Sequence, residues 1–83
     1  MTPPTLIVYS RRGCHLCEQL IEELLPLIRD RATLEVRDVD ERDDWREAFD
    51  RRVPVVEFGG RIVCEYPLDR PAVLDALAPP RAS

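Results

Sequence analysis

Nothing in this 83-residue chain approaches the roughly 18–20 consecutive apolar residues that a membrane-spanning helix requires, so no membrane partner is expected. One histidine and three cysteines leave no second Cys-x-x-Cys pair and no paired-histidine spacing, which argues against a structural zinc site. The basic residues form no face interleaved with aromatics. With a formal charge of −4, a nucleic-acid partner is not expected. Of only three glycines, the adjacent Gly59-Gly60 pair is followed by no helix and is turn chemistry, not a phosphate cradle. Repeats, linkers and low-complexity stretches are absent. Met1-Thr-Pro-Pro-Thr5 lacks a basic n-region and a cleavable apolar segment, so no secretory signal is expected. A small chain of this kind is expected in the cytoplasm, where thiols stay reduced and a cysteine pair serves catalysis or metal binding more often than stapling.

What is present is an ordinary globular composition, 45% hydrophobic and 34% charged, sized for one small domain over residues 1–83. Its most informative feature is Cys14-His15-Leu16-Cys17. The preceding Thr5–Tyr9 reads as a short buried strand and Ser10–Gly13 as a turn. Apolar residues at Leu16, Leu20, Leu24, Leu27 and Ile28 have helical spacing. A thiol at a helix N-terminus faces unpaired N–H groups and the positive end of the dipole, which favours its thiolate. Pro26, inside this helix, removes one hydrogen bond and predicts a kink or an early end.

Further on, Ala32–Asp40 reads as a half-buried strand with Leu34 and Val36 on one face. Glu41–Arg52 carries Trp45, Ala48 and Phe49, an apolar stripe that docks a second helix. Val53–Phe58, Gly59-Gly60 and Arg61–Cys64 read as a hairpin. Asp69 looks like an N-cap, with Pro71 in the first turn and Val73, Leu74 and Leu77 facing inward. The order β-α-β-α-β-β-α predicts an α/β domain. Its sheet is mixed and four-stranded, two parallel strands joined to an antiparallel hairpin, with helices on both faces.

This layout, with Cys14-His15-Leu16-Cys17 on the first helix and Val53-Pro54 opening the third strand, resembles the thioredoxin fold and, at this length, a glutaredoxin. The resemblance covers residues 5–78, leaving 79–83 as a frayed tail. It implies a thiol–disulfide oxidoreductase with Cys14 as nucleophile and Cys17 as resolving thiol. It also implies a cis Pro54 against the cysteine pair, with the Val53 backbone bonding an extended substrate. The family's basic residue three before the first cysteine corresponds to Arg11. Arg11 or Arg12 is the candidate to stabilise the thiolate or bind a substrate carboxylate.

Departures from the family pattern are equally specific. Glutaredoxins usually carry Pro-Tyr or Pro-Phe between the cysteines; here the pair is His15-Leu16, and an imidazolium at His15 would lower the Cys14 pKa. Where the family has Gly-Gly and acidic residues whose amides hold a glutathione carboxylate, this chain reads Cys64-Glu65-Tyr66-Pro67. Glu65 puts a negative charge where glutathione brings one, Pro67 offers no N–H, and Arg52 replaces a threonine. The match is closest to a small glutaredoxin-like branch with a CxLC-type motif and no glutathione signature.

The expected protein is therefore a monomer with no bound cofactor, acting on protein or mixed disulfides. Its electrons come from glutathione or, on the altered signature, from a thioredoxin-reductase-type enzyme. Two rivals stay open at this point, a non-catalytic binding module of the same fold and a metal- or iron–sulfur-binding protein. Cys64 reads as a small buried hydrophobe, or as a third redox thiol.

Overall fold

The computed structural model describes residues 3–78; the tail expected to fray lies outside the described residues. Strands β1 (Thr5–Ser10), β2 (Thr33–Asp38), β3 (Val55–Phe58) and β4 (Arg61–Cys64) form one sheet in the order β2-β1-β3-β4. β1 runs parallel to β2, pairing Thr5 with Thr33 through to Ser10 with Asp38, and antiparallel to β3; β3 and β4 are antiparallel. Helices α1 (His15–Ile28), α2 (Asp43–Phe49) and α3 (Arg70–Leu77) complete the α/β arrangement expected from the sequence.

The two central strands explain the two cores. Side chains alternate across a strand, so Leu6 and Val8 of β1 point to one face and Tyr9 to the other, while Val56 and Val55 divide likewise on β3. On the first face Leu6, Val8 and Val56 meet Leu20, Leu24 and Ile28 of α1 and Val73 of α3. On the second, Tyr9 and Val55 meet Val39 and Phe49, with Trp45 and Val53 partly buried beside them. Strands covered on both faces are apolar at successive positions, as Val55-Val56 is. Each fully buried leucine in such a core contributes about 1.5–3 kcal/mol relative to exposure.

Several elements differ from their expected bounds. The buried stripe of α1 begins at Cys17, not Leu16, which is 45% exposed beside the cysteine pair. Pro26 does not end α1 early: the helix continues to Ile28, and with Pro26 and Glu22 both exposed, water can take the carbonyl the ring leaves unpaired. β2 is an edge strand, so Val36 is 50% exposed and only Leu34 of the expected pair is partly covered. The second helix is only seven residues, preceded by a 3-10 turn at Val39–Glu41. It stops at Phe49, where Asp50 is the C-cap and the Arg52 N–H turns back onto the Phe49 carbonyl (2.9 Å), and Ala48 stays exposed. Leu74 faces outward on α3, where Val73 is the buried residue.

Local chemistry sets the remaining boundaries as expected. Asp69 accepts the Ala72 N–H (3.0 Å) at the start of α3, with Pro71 in the first turn. Gly59 (φ 61°) and Gly60 (φ 80°) both lie in the left-handed region, which a two-residue type I′ turn demands at its centre.

Candidate active site

The turn after β1 delivers Cys14 to the head of α1. Gly13 (φ 77°) takes the left-handed conformation that lets the chain reverse, and the Cys14 N–H donates to the Arg11 carbonyl (3.2 Å). Cys14 is itself the N-cap: its Sγ accepts the Cys17 N–H (3.1 Å), and its carbonyl accepts the Glu18 N–H (3.1 Å). The two cysteines are joined as a disulfide with Cα atoms 5.2 Å apart. Their surroundings are unequal. Cys14 is half-buried, whereas Cys17 is 1% exposed beneath it in the α1 stripe. An outside group therefore meets the sulfur of Cys14 first.

The peptide bond Val53–Pro54 is cis, with Pro54 buried and Val53 half-buried. A second cis bond joins Tyr66 to Pro67, where the sequence carries no motif that marks it. Between the two, Arg52 Nη2 donates to Glu65 Oε2 (3.0 Å), so the charge of Glu65 is answered from within the chain beside Val53.

The two arginines of the turn have different fates. Arg11 is bound by Asp40 and Asp50, and these partners raise its pKa, the Asp50 hydrogen bond most strongly. The same guanidinium holds the Asp50 carboxyl below the usual carboxylate range. Arg12 is exposed, and among the described residues no carboxylate lies within ion-pair distance of it. His15 points to solvent, its side chain 99% exposed and Nδ1 3.9 Å from Glu18 Oε2. Cys64 is the free thiol. It sits half-buried at the end of β4, where burial pushes its pKa up against an Asp69 backbone N–H that favours the thiolate. Among the described residues no three His, Cys, Asp or Glu side chains are placed to hold a metal ion, and no helix is long and apolar enough to cross a membrane.

Residues 5–78 match the glutaredoxin-like domain (DUF836) family. The chain belongs to this family. A glutaredoxin-like domain with its Cys-x-x-Cys pair at the head of the first helix has the arrangement of a thioredoxin-like fold, here a mixed four-stranded sheet with three helices. It is similar to the X-ray structure of a Northeast Structural Genomics target protein from X. campestris, at 35% identity and a TM-score of 0.67. That match covers 89% of this chain and 99% of the other. No curated protein matches the sequence.

Proposed function

We propose that this glutaredoxin-like domain is a thiol–disulfide oxidoreductase that reduces protein or mixed disulfides in a reducing cytoplasm, with no bound cofactor. One observation carries the reading: the Cys14 sulfur accepts a helix N-terminal N–H while its partner sulfur is buried. In the reduced protein the same N–H would meet a thiolate, and a hydrogen bond to the charged form stabilises that form. The Cys14 thiolate attacks one sulfur of a substrate disulfide; the substrate S–S bond breaks and its other sulfur leaves as a thiolate. Cys17 then loses its proton and attacks the Cys14 sulfur. This releases the second substrate thiol and closes the Cys14–Cys17 disulfide. Two electrons from an external reductant reopen it.

The Val53 backbone, next to buried Pro54, is the proposed seat for the extended segment bearing the substrate disulfide, and exposed Leu16 supplies apolar contact beside it. Arg12, exposed and with no carboxylate within ion-pair distance among the described residues, is proposed to meet a substrate carboxylate. Arg52 is already paired with Glu65, so a glutathione carboxylate would have to displace an internal one. This supports a thioredoxin-reductase-type electron donor over glutathione.

Insulin reduction in the presence of dithiothreitol tests the reading. We expect the wild-type protein to accelerate it, Cys14→Ser to abolish the acceleration, and Cys17→Ser to accumulate a mixed disulfide with the substrate. Equal rates with wild type and Cys14→Ser would leave only a binding module of the same fold.

A further inference from the structure

Arg11 is fastened at both ends of the site. Its Nε and Nη2 donate to the two carboxylate oxygens of Asp40 (3.0 and 3.1 Å), and its Nη1 donates to the Asp50 carbonyl (3.1 Å). Nη2 also bonds the Asp50 carboxylate, so four of the five guanidinium N–H groups are engaged. The acceptors belong to separate segments. Asp40 lies in the 3-10 turn after β2 and is also paired with Arg46 Nε (3.4 Å); Asp50 is the C-cap of α2. From Asp50 the chain makes one turn, closed by the Arg52 N–H on the Phe49 carbonyl (2.9 Å), and enters Val53–Pro54.

One side chain thus joins the turn that presents Cys14 to the segment that presents Val53. We infer that Arg11 is a positioning residue whose guanidinium fixes the separation between the Cys14 sulfur and the Val53 backbone, and so determines how well an extended disulfide segment seats. The inference rests on the redox reading above. It assigns Arg11 no action on the sulfur, because two carboxylates already answer its charge. Planarity matters here: a rigid fork can bridge two acceptors at fixed angles, whereas a lysine ammonium is a point charge on a flexible stem. A peptide disulfide must reach the sulfur and the backbone together and is sensitive to their spacing. A small disulfide meets the sulfur alone.

The test compares Arg11→Met, Arg11→Lys and Asp50→Asn with wild type on two substrates, neutral dithiodipyridine and a disulfide-bridged peptide. The pH midpoint of Cys14 alkylation is measured alongside. We expect KM for the peptide to rise by about tenfold or more in Arg11→Met and Asp50→Asn, since a displaced Val53 backbone forfeits hydrogen bonds that seat the peptide before any bond is exchanged. Arg11→Lys should restore little, while kcat, the dithiodipyridine rate and the alkylation midpoint stay at wild-type values. Asp50→Asn separates the two explanations because it removes an anion and keeps the cation. If Arg11 acted on the thiolate through its charge, this variant would lower the alkylation midpoint and speed the small disulfide. That result, full rescue by lysine, or an unchanged peptide KM in every variant would overturn the inference. A wild-type protein that reduces neither substrate would instead remove the redox reading beneath it.

Discussion

At Gly13 the site depends on a single missing methyl group. Its φ of 77° lies where an L-residue places Cβ against the following carbonyl, yet the space around a Cβ at this position is open. Replacement by alanine therefore adds backbone strain and no clash. We expect Gly13→Ala to destabilise the protein by about 1–2 kcal/mol, read as a lower urea midpoint at unchanged m. If the turn relaxes instead of bearing the strain, the loss falls short of this, and the Cys14 alkylation rate changes with it. The same residue scale accounts for the inequality of the cysteine pair: helical geometry puts position 14 at the cap and position 17 on the buried stripe, so their exposures diverge without any special pocket.

Among the elements, α3 shows how local signals set a boundary. Asp69 satisfies the Ala72 N–H, and Asp69→Ala should cost about 1 kcal/mol, measured by equilibrium denaturation. A fall within the error of the measurement would mean that water caps the helix equally well. Signals of this kind are legible in a sequence because cap and helix are neighbours: Asp69, the Gly59-Gly60 turn and the start of α1 all stand where expected. α2 was not legible in the same way. Its extent is decided by Phe49 stacking on Tyr9 (centroids 4.2 Å apart), Trp45 meeting the same ring edge-on (5.9 Å), and Arg37 and Arg42 lying over the indole (5.1 and 5.2 Å). Those partners come from β1, β2 and the turn before the helix. The exposure of Val36 likewise followed from strand order, since β2 flanks the sheet. Arg11 is the clearest case at the site. The sequence marked a cation near the cysteines, but its acceptors lie 29 and 39 residues away, and only the fold brings them together.

Across the whole molecule, two cores share one sheet, and the site stands where segments from both meet. α1 packs on the first core and carries the disulfide; α2 packs on the second and leads into Val53–Pro54. The candidate surface is therefore assembled from two layers joined by β1, β3 and the Arg11 bridge, which is why a polar contact at the rim is proposed to bear on it. Arg52 completes the join by reaching from the α2 side to Glu65 beyond β4.

Burial of Cys64 has one more consequence. Once the Cys14–Cys17 bridge is opened, we expect the three sulfhydryls to rank by reactivity: Cys14 at the helix cap first, then half-covered Cys64, whose proton burial holds more tightly than usual, then Cys17 beneath the cap. A brief pulse of iodoacetamide at mildly acidic pH should therefore tag Cys14 alone, read by mass spectrometry as a single added group; equal tagging of Cys64 would contradict that ranking. The fold thus offers a natural single-point attachment for a dye or a cross-linker, with no cysteine engineered away.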